Sequence, residues 1–261
     1  MENSQDPSVW WDRQPIKSYG GRNKFMRVNK EQSALIINLN ETELLVIEVK
    51  YNGKAGRELI IKNETGSRIS CHEALNNNKI LTVNQRGLMR IYEVDYGGFS
   101  KHSLIKSSQI TPKRKRGENQ FGLAICERSK ICAVQVDCDS RASRIIIYGL
   151  KDEKGQDSFS LLTKLDVYRA DLKSLGNGCF SPYIGDNLIL CVHDYSNQRV
   201  YAFGYDMKIN KLSQMFSKSI KVGKYCFKLS RVGSEVCGII SDGGKILRFK
   251  FNVVVSVKVN I

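Results

Sequence analysis

Lys79-Ile-Leu-Thr-Val83, Asn84-Gln-Arg-Gly87 and Leu88-Met-Arg-Ile-Tyr-Glu-Val94 follow one another without interruption, and their reading decides the fold. A short β-branched run, a turn of Asn and Gly, and a second apolar run make a hairpin, because Asn and Gly tolerate the positive φ that tight turns need. The second run returns four more times, as Glu43-Leu-Leu-Val-Ile-Glu-Val49, Arg144-Ile-Ile-Ile-Tyr-Gly-Leu150, Arg199-Val-Tyr-Ala-Phe-Gly-Tyr205 and Lys245-Ile-Leu-Arg-Phe-Lys-Phe251. Aligned on Ile47, Tyr92, Tyr148, Phe203 and Phe249, the copies lie 45, 56, 55 and 46 residues apart. In every copy the residues three before and two after this anchor are apolar too, so both faces of the strand are apolar. That is the pattern of a strand sandwiched between neighbouring sheets. A strand repeat near this length predicts an all-β chain folded as a β-propeller of about five four-stranded blades, or as part of one. A β-sandwich or irregular barrel also accommodates five hairpins, but neither has a reason to keep so long and regular a spacing.

Each copy has its own leading strand: Ser33-Ala-Leu-Ile-Ile37, Ile131-Cys-Ala-Val-Gln-Val136, Asn187-Leu-Ile-Leu-Cys-Val192 and Val236-Cys-Gly-Ile-Ile240 in the other four units. Still earlier come Phe25-Met-Arg-Val28, Gly122-Leu-Ala-Ile125, Gly178-Cys-Phe-Ser-Pro182 and Tyr225-Cys-Phe-Lys-Leu229. Cys179-Phe-Ser-Pro182 followed by Gly185, and Ser241-Asp-Gly-Gly-Lys-Ile-Leu-Arg-Phe249, resemble degenerate WD40 repeats. The resemblance runs over residues 22–252 and departs from the family pattern in two respects. No copy carries the Gly-His dipeptide, and none ends in Trp-Asp, Ile, Tyr or Phe standing in place of the Trp. The family's buried hydrogen-bond network is therefore not assigned to this chain. The domain division that follows is an N-terminal segment, 1–21, and a WD40-like propeller, 22–261, with a basic insertion at 106–119.

With 261 residues the chain can bury a full core in one domain. No stretch approaches the roughly 20 apolar residues that span a bilayer, and the N-terminus has neither the basic start nor the apolar run of a secretory signal. No membrane partner is expected. The eight cysteines form no Cys-x-x-Cys pair and read as small apolar strand residues of an intracellular protein. Three histidines, His72, His102 and His193, are far apart, and no phosphate-cradling Gly-rich loop or nucleophile elbow occurs. The sequence therefore predicts no catalytic residue, no metal site, no cofactor and no small-molecule substrate.

Charge is the remaining signal. Lys and Arg number 41 against 26 Asp and Glu, a net +15 that favours polyanionic partners. Between Met207 and Ser234 stand Lys208, Lys211, Lys218, Lys221, Lys224, Lys228 and Arg231, with no acidic residue among them. Around Lys221 and Lys228 lysines alternate with apolar residues, which on one strand gives one basic face, suited either to a phosphate backbone or to a solvated outer strand. A second cluster, Lys113, Arg114, Lys115 and Arg116 after Pro112, has the form of a nuclear import signal. Together these features predict a nuclear scaffold joining protein subunits of a larger complex, the alternatives being direct binding of RNA or DNA by the 208–231 surface and residence in the cytoplasm.

Overall fold

The computed structural model describes residues 24–27, 33–50, 54–75, 78–95, 97, 99–110, 121–126, 128–137, 142–168, 175–180, 187–194, 199–219, 227–232, 235–242 and 245–251. These form strands and turns, with no helix among the described residues. Five antiparallel sheets follow one another along the chain. The first joins β1 (Lys24–Arg27), β2 (Ser33–Asn38), β3 (Glu43–Val49) and β4 (Ala55–Lys62). The second joins β5 (Ile69–Leu75), β6 (Lys79–Asn84), β7 (Leu88–Val94) and β8 (His102–Gln109). The third joins β9 (Phe121–Cys126), β10 (Ile131–Asp137), β11 (Ala142–Lys151) and β12 (Asp157–Tyr168). The fourth joins β13 (Leu175–Phe180), β14 (Asn187–Asp194), β15 (Arg199–Asp206) and β16 (Lys211–Ser219), and the fifth β17 (Phe227–Val232), β18 (Glu235–Asp242) and β19 (Lys245–Phe251).

The repeated phrase is the third strand of every sheet, and its register repeats with it. The anchors pair with second-strand residues as Leu35↔Ile47, Ile80↔Tyr92, Cys132↔Tyr148, Leu190↔Phe203 and Gly238↔Phe249. On its other edge each anchor of the four-stranded sheets sits at a register shift, beside Ile47, Tyr92, Tyr148 and Phe203. A bulge there bends and twists the outermost strand away from the third, which suits a blade whose rim splays.

Alternation along the third strands sends successive residues into two different seams. On β7, Met89 and Ile91 join a core with the third sheet, while Tyr92 and Val94 join a core with the first. On β11, Ile146 and Tyr148 face the second sheet and Ile145 and Ile147 the fourth. From the second blade to the fourth, the anchor always faces the preceding blade; on the first blade the same face carries Ile37, Leu45 and Ile47, all buried. The first strands β1, β5, β9, β13 and β17 adjoin in that order, so the sheets stand side by side around their inner strands as an arc of blades. The outer strands are different: β4 and β8 are largely exposed. Residues 106–109, assigned to the basic insertion by sequence, belong to β8 instead. Their Ser-rich polarity, which reads as loop, reflects an outermost strand with water on both sides.

Candidate functional site

In an antiparallel four-stranded blade, the turn between the second and third strands lies at the same end as the connection to the next blade. Here that end is knitted by backbone bonds between blades. Asn63 N–H donates to Thr42 O (2.8 Å) and Ile69 N–H to Glu41 O (2.7 Å), tying the first connection to the β2–β3 turn. Gln85 N–H donates to Arg68 O (2.8 Å), tying the first connection onward to the β6–β7 turn, and Ile110 N–H donates to Gly87 O (2.8 Å), tying the start of the second connection to that same turn. The Asn84 side-chain oxygen accepts from Arg86 N–H (3.0 Å) and Leu88 N–H (2.9 Å), which closes that turn. Gly87 completes it at φ 76°, where a Cβ would meet Phe121 at 3.3 Å. Only glycine enters this region without strain.

Between the first and second blades this end is polar to an unusual depth. Arg90, on β7, retains 9% of its surface, and Asn63, Ser67, Thr82, Asn84 and Tyr92 around it are buried as well. Arg90 Nη1 donates to Tyr92 Oη (3.2 Å) and Asn63 Oδ1 (3.4 Å). Asn63 Oδ1 also accepts from Thr65 Oγ1 (2.8 Å), and Asn84 Nδ2 donates to that hydroxyl (3.2 Å). At the rim of the same seam, Arg57 donates to both Glu48 carboxylate oxygens (3.0 and 2.9 Å) and to Gly97 O of the second blade (3.2 Å), and lies 5.5 Å from the centre of the Phe99 ring. The Arg57 guanidinium holds the Glu48 carboxyl down to about 2, against the opposing effect of burial.

The next seam carries an ion cluster. Lys79 of the second blade and Lys151 of the third both bond Asp157 on β12, the latter at 2.8 Å. Burial pushes the Asp157 carboxyl upward, but the two lysines outweigh it and leave it below its ordinary value. The buried thiols of Cys71, Cys126, Cys132 and Cys191 are not joined in disulfides, and burial pushes the Cys191 thiol up to about 12. Such a thiol stays protonated and inert near neutrality. His72, His102 and His193 lie on β5, β8 and β14. Among the described residues no three His, Cys, Asp or Glu side chains are placed to share a metal ion.

The cations singled out from sequence separate. Lys208 lies in the β15–β16 turn, its N–H bonded to Asp206 Oδ1 (2.9 Å), and Lys211 and Lys218 lie on β16, the outermost strand of the fourth blade. Lys228 and Arg231 lie on β17, the first strand of the fifth, which packs against β13 and β14. The described cations of the run from 208 to 231 therefore share no single strand face: one group belongs to the outermost strand and turn of the fourth blade, the other to the first strand of the fifth. Lys221 and Lys224 fall outside the described residues, as do Lys113, Arg114, Lys115 and Arg116 in the connection from β8 to β9. The residue that the sequence reading passed over is Arg90. Its signal was present: two before each anchor stand Leu45, Ile146, Tyr201 and Leu247, and only the second copy has a cation there.

No family model matches the chain, and no curated protein matches it. Solved structures do. A protein from Lactobacillus plantarum is similar over 87% of this chain and 69% of its own, with a TM-score of 0.55 and 11% identity. Kluyveromyces lactis Hsv2, with its loop 6CD complete, is similar over 76% of this chain and 61% of its own, with a TM-score of 0.51 and 10% identity. Both are β-propeller structures. At these identities the likeness is one of fold, and the fold it gives this all-β chain is a β-propeller, consistent with a partial one.

Proposed function

We propose that this chain is a WD40-like propeller that works without catalysis, in the nucleus, as a scaffold for protein subunits of a larger assembly. One observation carries the reading: within a blade the third strand is buried on both faces while the outermost strand is open to solvent, as β7 and β8 illustrate. A frame held by its seams keeps turns and rim strands in fixed positions, which is what a broad docking platform needs. Association with protein partners would then tolerate salt. The test is affinity purification from cell extract with and without nuclease: retention of the same protein partners after nuclease and in high salt supports the scaffold, and their loss on nuclease treatment overturns it.

Residence in the nucleus rests on Lys113, Arg114, Lys115 and Arg116. Replacing all four by alanine is expected to abolish nuclear accumulation and leave stability within about 0.5 kcal/mol. An equally nuclear variant would remove this part of the reading. Direct binding of RNA or DNA is the second reading, favoured by the net charge of +15 and the cations from Lys208 to Arg231. Each phosphate neutralised would add about 0.7 to 0.9 to the slope of log affinity against log salt. Charge reversal at Lys221, Lys224 and Lys228 should flatten that slope for every sequence alike, and a wild-type protein that binds neither RNA nor DNA at low salt leaves the scaffold alone.

A further inference from the structure

In the third and fourth blades the position two before the anchor is an apolar residue facing the preceding blade, and in the first blade it is an apolar residue on the same face of the sheet. Leu45, Ile146 and Tyr201 are all buried there. The second blade places Arg90 in that position, at the connection end of the seam with the first blade. A guanidinium is charged at any physiological pH. Its contacts are neutral: the amide oxygen of Asn63 and the phenol oxygen of Tyr92, both reached by Nη1. Its Nε is buried and donates to no acceptor, and among the described residues no carboxylate pairs with it. A cation removed from water without a counter-charge is costly, and breaking or withholding its partner leaves that cost uncompensated. Across the sheet Arg90 stands opposite Thr82 on β6 and Ser107 on β8. Directly opposed residues share a face, so two hydroxyl-bearing residues flank the guanidinium, Thr82 buried and Ser107 exposed.

We propose that the seam between the first and second blades binds one phosphate-type oxyanion, with Arg90 as its cation and the Thr82 and Ser107 hydroxyls as flanking donors. The guanidinium fork matches the spacing of two oxygens on one tetrahedral anion. With only 9% of Arg90 exposed, the group that reaches it would be a single terminal oxyanion rather than a continuous backbone. This site is independent of the scaffold reading and of the cations from Lys208 to Arg231.

The probe is inorganic phosphate added to the full chain, against chloride at equal ionic strength. A ligand that binds only the folded state raises stability with concentration. For a millimolar site, 20 mM phosphate should raise the melting midpoint by about 2–4 °C. The same rise is expected when Lys113, Arg114, Lys115 and Arg116 are alanine, and none in Arg90→Gln. Because Arg90→Gln is also exposed to misfolding, a second measurement follows the Arg90 Nε–H resonance in the wild type, identified by its absence from Arg90→Lys. Saturable movement of that resonance with phosphate supports the site. An unmoved resonance, or an equal thermal shift in a folded Arg90→Gln, overturns it.

Discussion

The seam between the third and fourth blades and the seam between the first and second hold equivalent places in the arc, yet they are built from different chemistry. In the former, Tyr201, Phe203 and Tyr205 on β15 meet Ile145, Ile147 and Ala133 of the third blade, all essentially out of water. The latter keeps an apolar middle around Ile36, Val46, Ile80 and Tyr92 but ends in polar groups at both extremities. Glu48 and Arg57 close it at the rim, and Arg90 with Asn63 and Asn84 at the connection end. The difference teaches that blade geometry fixes where a seam lies and leaves its chemistry free. The third-to-fourth seam is filled mainly by apolar packing, and the first-to-second seam sets polar groups at both of its ends.

The largest effect that would break this comparison is loss of an aromatic anchor. Phe203 is fully buried, and truncating such a residue typically costs about 3–5 kcal/mol through lost transfer energy and the cavity left behind. Phe203→Ala should lower the unfolding free energy obtained from a denaturant titration by that amount; a cost below about 1 kcal/mol would mean the seam is not close-packed. A smaller effect of opposite sign is expected at Gln135. It points into the same apolar seam, is fully buried, and neither amide atom is hydrogen-bonded. Relieving an unsatisfied buried amide is worth about 1–3 kcal/mol, offset in part by repacking. Gln135→Met should therefore stabilise the chain by about 1 kcal/mol in the same denaturant measurement, and a destabilised variant would show that the amide has a role.

The smallest effect sharpens the polar side. A carboxyl held below its unfolded value contributes stability that is fully present above the unfolded value and is lost as pH falls through the folded one. For Glu48 these limits are 4.5 and about 2. Arg57 is substantially exposed, so solvent screening leaves the pair only the small contribution of a surface ion pair. Glu48→Gln should show that small cost at neutral pH, with the gap to wild type narrowing below pH 4.5 and closing near pH 2. A gap that persisted at pH 2 would assign the cost to packing instead.

Legibility from sequence follows burial. The third strands β3 and β7 coincide with the repeated phrases, because a strand covered on both faces is largely apolar and leaves a nearly continuous run. β5, Ile-Ser-Cys-His-Glu-Ala-Leu, escaped notice because Ser70, His72 and Glu73 break its apolar pattern. The outermost strands β4 and β8 escaped because exposure removes the constraint that makes a strand recognisable: Leu104 and Ile105 are 43% and 38% exposed. The cations from Lys208 to Arg231 were conspicuous in sequence, yet Lys211 and Lys218 lie on β16 and Lys228 and Arg231 on β17 of the next blade, since adjacency along the chain does not survive the passage from rim to inner strand. Arg90 was the reverse case. One cation inside an apolar phrase reads as noise until the register shows four apolar counterparts in its place.

The central claim is that doubly covered third strands form a frame around which the outer strands and turns are displayed. Amide hydrogen exchange resolved by strand tests it directly, because protection tracks how far each element must open to exchange. The account predicts slowest exchange in β3, β7, β11 and β15, and exchange faster by orders of magnitude in β4 and β8. Equal protection in β7 and β8 would contradict it, since a strand exposed on its rim could then not be the displayed edge of a blade.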